Sequence, residues 1–159
     1  MTDDYTKSLE KRIEELEDVV TSYNPTTFNI LKTIVDVKME FFKNNNIKYG
    51  HNGLAARTLL SELCTVKFCL GRQMGHTTAL YALYKKDPIH TTLIFSHKMM
   101  VPKYKGAIHF SDFVNNGSTL TSKLILFDNY LTYKPSSDLC DEIEKRVVQQ
   151  GVPPVIILT

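Results

Sequence analysis

The sequence has few cysteines, no long apolar run and almost no excess of one charge. Its three cysteines are an odd number and form no Cys-x-x-Cys pair, so neither a disulfide framework nor a zinc site is expected. No apolar run approaches the ~18 residues of a membrane-spanning helix, and no membrane partner is expected. The N-terminus has neither a basic nor an apolar segment, so a signal peptide is not expected. These absences predict a cytoplasmic protein.

The formal net charge is only +2, with Lys and Arg spread along the chain. Nucleic-acid-binding proteins usually concentrate basic residues on one face, so the charge does not indicate a nucleic-acid partner. One segment with several basic residues holds His97, Lys98, Lys103 and Lys105. We interpret it as a solvated loop rather than a nucleic-acid contact. A length of 159 residues suits one compact domain or a core with a short appendage, and 43% hydrophobic residues are enough for a real core.

The N-terminal third is predicted to be helical. Residues 5–22 form an amphipathic pattern, whose apolar positions recur at spacings of four, three and four: Leu9, Ile13, Leu16 and Val20. We favour a helix packed on its own domain, because fewer than about three heptads are present for a coiled coil. The alternative is a strand of a coiled coil that contacts a protein partner or makes a homodimer.

Two further helices complete the N-terminal third. Asn24-Pro25 is a helix-start signal, and a helix is predicted from there to about residue 42. A short helix is predicted at about residues 54–63. Residues 1–60 are therefore expected to be a helical segment packed on the core, and residues 61–159 to be the core itself.

The pattern changes to strands alternating with helices after residue 64. Strands are predicted by apolar runs at residues 65–70, 91–95, 124–127 and 155–158, and helices at 77–86 and 137–150. Runs that are apolar throughout favour a parallel sheet buried on both faces. Residues 97–122 are predicted to be irregular. The fold class is therefore α/β, with a mainly parallel sheet of four or five strands preceded by N-terminal helices.

A glycine-containing loop joins the first predicted strand to the helix that follows it. Its residues are Gly71, Arg72, Gln73, Met74, Gly75, His76, Thr77 and Thr78. Backbone N–H groups at a helix N-terminus bind phosphate, and glycines let the phosphate approach closely. The strand–loop–helix context predicts a phosphate-binding loop, and the alternative is an ordinary turn.

This loop departs from G-x-x-x-x-G-K-[ST] at Leu70, which replaces a glycine, and at His76, which replaces the lysine. With Arg72-Gln73, Gly75 and Thr77 in place, the segment resembles the Walker A motif of phage large-terminase ATPases and related helicase-like P-loop proteins. The resemblance implies a three-layer P-loop NTPase core that binds ATP and Mg²⁺. It also implies a phage source, and then the host cytoplasm as the location.

Residues 124–128 resemble the Walker B strand of the same family. By this resemblance Thr77 binds the Mg²⁺ directly and Asp128 holds it through a metal-bound water. Thr159, at the end of the last strand, senses the terminal phosphate. The family's catalytic glutamate follows the aspartate, but Asn129 stands there, and an amide cannot accept a proton from water as a carboxylate does. The alternative for Asp128-Asn129 is a turn at the end of a strand, and for Thr159 a plain chain terminus.

The substitutions at His76 and Asn129 predict that hydrolysis is weakened more than binding. Imidazole is shorter than the lysine side chain, although Arg72 could supply part of the missing charge. We predict a small P-loop protein that binds Mg-ATP with weak or absent hydrolysis. Two alternatives stay open: a slow ATPase that uses His76 and Arg72, and a pseudo-NTPase scaffold that binds a protein or nucleic acid without nucleotide.

Overall fold

A computed structural model describes the larger part of the chain. The described ranges are residues 6–8, 11–12, 25–49, 55–70, 75–116, 120–130, 138–146 and 151–159. Residues 6–8 and 11–12 are helical, as predicted for the N-terminal segment. The predicted apolar positions 9, 13, 16 and 20 lie outside the described residues, and so do loop residues 71–74 and helix residues 147–150.

The first long helix, α1, spans Pro25–Asn44. Proline suits the first turn because its missing N–H would have no partner inside the helix. The side of α1 that faces the rest of the chain buries Leu31, Val35 and Phe42. The helix therefore contributes directly to the hydrophobic core.

The predicted short helix at residues 54–63 consists of an α-helical turn followed by a π-helical turn. Helix α2 covers Ala56–Thr58, and the chain then makes a π-helical turn at Leu59–Cys64. Strand β1, Thr65–Lys67, follows immediately. It is shorter than the predicted run of 65–70, because Cys69 and Leu70 are exposed rather than part of the buried sheet.

The sheet has five strands, all parallel. After β1 they are β2 at Thr91–Phe95, β3 at Ile108–His109, β4 at Leu124–Asp128 and β5 at Val155–Leu158. Their order across the sheet is β1-β5-β4-β2-β3. Every residue of β4 and β5 is buried, which requires cover on both faces of the sheet. The predicted α/β class with a parallel sheet is confirmed.

The prediction that residues 97–122 are irregular is wrong. This segment holds a 3₁₀ helix at Lys98–Lys103, strand β3, and helix α4 at Phe110–Asn115. Strand β3 pairs only through Ile108 and His109, so it leaves no apolar run in the sequence. Helix α4 is capped by the His109 side chain, which accepts the backbone N–H of Ser111.

Two further helices follow the glycine-containing loop and precede the last strand. Helix α3 spans His76–Lys86 and follows β1 after the loop. Helix α5 spans Leu139–Glu144, and Asp138 caps it by accepting the N–H of Cys140. Within the described residues, no helix has the length and apolarity needed to cross a membrane.

Candidate functional site

The carboxyl end of β4 carries the predicted metal ligand. Asp128 is the last residue of that strand and is only 7% exposed. The hydroxyl of Thr77, in the first turn of α3, donates to its carboxylate at 3.0 Å from Oδ2 and 3.2 Å from Oδ1. The hydroxyl of Thr159, immediately after β5, lies 3.2 Å from Oδ1. Three residues predicted separately from the sequence therefore meet at one edge of the sheet.

The surroundings of Asp128 act on its carboxyl group in opposite directions. Burial raises the pKa of Asp128 above its ordinary value, because the charged form loses water. The hydrogen bonds from Thr77 and Thr159 lower it again, and electrostatic interactions with His76 and His97 act in the same direction. A buried carboxylate that is held by hydroxyl donors suits a bound cation, which would relieve the cost of burying the charge.

Thr159 links the tips of two neighbouring strands. Its N–H donates to the carbonyl of Phe127 at 3.1 Å, and its Oγ1 accepts the N–H of Asn129 at 3.3 Å. Asn129 has φ of 62°, in the left-handed region that asparagine tolerates better than most residues. The hydroxyl of Thr159 is therefore fixed between Asn129 and the carboxylate of Asp128.

The side chain of Asn129 reaches a residue that the sequence did not point to as part of this site. Its Nδ2 lies 2.8 Å from Nε2 of His97, which follows the end of β2. In this orientation the amide donates and the imidazole nitrogen accepts. Beside it, the buried Oγ of Ser96 has no hydrogen-bond partner among the described residues. The signal available in the sequence was that His97 stands two residues after an apolar strand, just as Asp128 stands at the end of another.

Gly75 shapes the start of helix α3. Its φ is 71°, a left-handed conformation that costs glycine little, and its carbonyl accepts the N–H of Ala79 at 2.9 Å. Gly75 is the N-terminal cap residue, and it has no side chain that could accept hydrogen bonds from the first backbone N–H groups of the helix. The first turn carries no acidic residue either. Because Thr77 in this first turn contacts Asp128, the positive end of the 11-residue helix lies beside the carboxyl end of β4.

His76 turns toward the other end of the loop. Its Nε2 accepts the backbone N–H of Leu70 at 3.2 Å, and its ring packs edge-to-face on Phe68 with centroids 5.6 Å apart. A nitrogen that accepts a hydrogen bond carries no proton, so the ring proton belongs on Nδ1. The contact joins the two ends of the segment that was predicted to bind phosphate. The predicted contacts of Gly71, Arg72, Gln73 and Met74 lie outside the described residues, and Thr78 lies in the first turn of α3.

Comparison of the chain with protein-family models, with curated proteins and with solved structures gives no match. The resemblance to P-loop ATPases therefore depends on residues 70–79 and 124–128. In the described part of the chain, no three or more His, Cys, Asp or Glu side chains cluster as a metal site would require. A site that uses Thr77 and Asp128 would need its remaining ligands from elsewhere.

Proposed function

We propose that this chain binds the phosphates of a nucleotide, ATP with Mg²⁺, on a P-loop core, and hydrolyses it weakly or not at all. One observation carries the proposal: the hydroxyl of Thr77 hydrogen-bonds the buried carboxylate of Asp128. The contact joins the first turn of the helix after the glycine loop to the end of an apolar strand. A hydroxyl and a carboxylate in these positions are what a Mg-nucleotide site needs.

The donor atoms of the site fit Mg²⁺. This ion prefers oxygen ligands and usually takes only one or two from the protein, with waters and phosphate oxygens completing six positions. Thr77 and Asp128 provide oxygen donors within 3.2 Å of each other. They would hold the ion, whose charge offsets that of the phosphates when nucleotide is bound.

The start of α3 supports phosphate binding. Backbone N–H groups and the positive end of the helix dipole attract an anion at this position. Gly75 allows the approach because it has no side chain and adopts φ of 71°. Arg72 and Gln73 are proposed to contact the phosphates from the loop, by resemblance to the terminase pattern.

The position directly after Asp128 does not carry the carboxylate that activates water in P-loop ATPases. The residue after Asp128 is Asn129, and its amide cannot take a proton from the attacking water. Its Nδ2 is instead in contact with Nε2 of His97. The proposed role of Thr159 in sensing a terminal phosphate is supported by the contacts of its hydroxyl with Asp128 and with the N–H of Asn129. Because residue 129 cannot act as a general base, we propose that the chain binds Mg-ATP and hydrolyses it slowly or not at all.

Calorimetry on the full chain tests the proposal. We expect saturable heat when Mg-ATP is titrated into the wild-type protein, and binding at least about tenfold weaker in Thr77→Val, a change of roughly 1.4 kcal/mol. Valine keeps the shape of threonine and removes only the hydroxyl. The matched control is Thr33→Val on α1, whose hydroxyl donates to the carbonyl of Asn29. No heat from the wild-type protein with ATP or ADP, with or without Mg²⁺, overturns the proposal.

A second function is favoured by the position of His76. Because its Nε2 already accepts the N–H of Leu70, that nitrogen donates nothing to a phosphate in this conformation. The chain would then be a pseudo-NTPase scaffold that binds a protein or nucleic acid without nucleotide. Absence of nucleotide heat, together with salt-sensitive binding of a fluorescent oligonucleotide, would support the nucleic-acid form of this alternative.

A further inference from the structure

The residue that stands in the lysine position of the loop makes its contacts back along the chain. His76 begins helix α3, and its Nε2 accepts the backbone N–H of Leu70 at 3.2 Å. Its ring packs edge-to-face on Phe68, with centroids 5.6 Å apart and planes at 81°. The imidazole therefore contacts the chain on the far side of the glycine-containing loop, through a hydrogen bond and through an aromatic ring.

Phe68 provides a fixed base for the ring of His76. Its side chain is buried, and its N–H donates to the carbonyl of Leu158 in strand β5 at 2.8 Å. This hydrogen bond continues the pairing of β1 with β5 one residue beyond Lys67. Edge-to-face packing is a favoured arrangement of aromatic rings. The contact with Phe68 therefore attaches the imidazole to the sheet.

Leu70 is held by His76 in turn. It lies beyond Lys67, the last residue of β1, and is 41% exposed. Within the described residues, the imidazole of His76 is the hydrogen-bond partner of its backbone N–H. The other end of the loop is fixed independently, because Gly75 caps α3 and its carbonyl accepts the N–H of Ala79. One side chain therefore ties the start of the loop to its end.

We propose that His76 is a positioning residue for the phosphate loop. Its neutral ring holds the N–H of Leu70 and so sets the separation between the two ends of the loop, at residues 70 and 75. Ends that are fixed before a ligand arrives lower the conformational entropy that binding must overcome. The proposal rests on the proposed function, because it assigns His76 a part in binding the phosphates of a nucleotide.

The hydrogen-bonding chemistry of the side chain separates this role from that of a phosphate-binding lysine. An ammonium group has three donors and no acceptor, so lysine could not accept the N–H of Leu70. A neutral imidazole has one acceptor nitrogen, which Leu70 occupies, and one N–H. Glutamine offers an acceptor without the ring, and phenylalanine offers a ring without the acceptor. These two substitutions therefore separate the hydrogen bond from the packing on Phe68.

Nitrogen NMR on the full chain tests the contact without any nucleotide. We expect the neutral ring of His76 to carry its proton on Nδ1. We also expect the amide of Leu70 to exchange at least about tenfold more slowly than in an unstructured peptide. His76→Gln should keep that protection, and His76→Phe should lose it. A proton on Nε2 of the wild-type ring, or a Leu70 amide that exchanges at the unstructured rate, overturns the proposal.

Calorimetry with Mg-ATP tests the role in binding. We expect His76→Gln to bind within about twofold of wild type, and His76→Phe to bind at least about tenfold more weakly. The matched control is His109→Phe, which also removes an imidazole that accepts a backbone N–H, that of Ser111. Because β3 lies at the opposite edge of the sheet from β1, this control should bind like wild type. Equal weakening by His76→Gln and His76→Phe would assign the ring a direct contact with phosphate, and unweakened His76→Phe would remove its role; either result overturns the proposal.

The two measurements distinguish this proposal from the proposed function. Nucleotide heat from a protein without the Nδ1 proton and the protected Leu70 amide would support nucleotide binding and overturn the part assigned to His76. The contact without any nucleotide heat would overturn nucleotide binding, and the positioning role with it.

Discussion

The hydroxyl of Thr77 donates to the carboxylate of Asp128, 3.0 Å from Oδ2 and 3.2 Å from Oδ1. The two residues come from different layers of the fold, since Thr77 starts helix α3 and Asp128 ends strand β4. Burial alone would favour the neutral acid at Asp128, and this hydrogen bond opposes that effect. The pair therefore opposes the rise in the pKa of Asp128 that burial causes, at the sheet edge next to the first turn of helix α3.

Replacing Asp128 by asparagine should remove the magnesium dependence of nucleotide binding. Asparagine keeps the shape of the side chain but not its charge, so it cannot neutralise a divalent ion. We expect Mg-ATP affinity to fall at least about tenfold, while any binding in EDTA stays unchanged. Calorimetry with and without Mg²⁺ measures both. The control is Asp36→Asn on α1, an exposed carboxylate paired with Lys32. An Asp128→Asn protein that kept full magnesium dependence would exclude this residue as a ligand.

Replacing His76 by lysine should strengthen nucleotide binding. Lysine is longer than histidine and carries a full charge that can reach the β- and γ-phosphates. The change leaves the N–H of Leu70 without its acceptor, which costs about 1 kcal/mol of folding free energy. We expect Mg-ATP affinity to rise about tenfold by calorimetry. His76→Gln, which can accept a hydrogen bond but has no charge, should not raise it. If lysine brings no gain, residue 76 does not face the phosphates.

The sequence was sufficient to predict the buried strands and the polar residues that follow them. Leu124 to Phe127 are four apolar residues followed by aspartate, a pattern that marks both the strand and its end. Strand β3 was missed because two residues paired at one sheet edge leave no such run. The contact between Asn129 and His97 depends on β4 and β2 being neighbours, a strand order that no local pattern contains.

Replacing Asn129 by glutamate should raise hydrolysis if a missing carboxylate limits turnover. General-base groups contribute roughly 10²–10⁴-fold, so we expect phosphate release to rise at least about tenfold. We expect the free energy of unfolding to fall by about 1 kcal/mol, because φ of 62° at this position is unfavourable for glutamate. Asn129→Gly is the control, since it accepts that φ and adds no carboxylate. Unchanged phosphate release from an Asn129→Glu protein that still binds Mg-ATP would contradict the hypothesis.

Gly106 has no room for a side chain. A Cβ there would lie 2.0 Å from the hydroxyl oxygen of Tyr84, and φ is +88°. We expect Gly106→Ala to lower the free energy of unfolding by about 2–4 kcal/mol, from overpacking and backbone strain together. Urea denaturation measures it. Tyr84→Phe removes the closest atom, so the double variant should recover part of the loss. Strict additivity of the two changes would show that the hydroxyl is not the obstacle.

Cys64 should make the protein less stable at alkaline pH. Burial raises the pKa of its thiol from 9.0 to about 12, and nearby Lys38 offsets only part of that rise. Above pH 9.0 the unfolded chain loses this proton while the folded chain keeps it, so the stabilisation present below pH 9.0 is lost as pH rises toward about 12. One group changes the free energy of unfolding by at most about 1.4 kcal/mol per pH unit.

The Cys64→Ala variant isolates this contribution from other alkaline titrations. Removing the buried thiol leaves a small cavity, whose cost does not depend on pH. We therefore expect the wild-type protein to be the more stable at about pH 8, and its advantage in urea denaturation to shrink steadily above about pH 9. Cys69→Ser, which changes an exposed thiol, should show the wild-type pH dependence. If the free energy of unfolding changes with pH in the same way for wild type and Cys64→Ala, the pKa of the buried thiol does not differ between the folded and unfolded states.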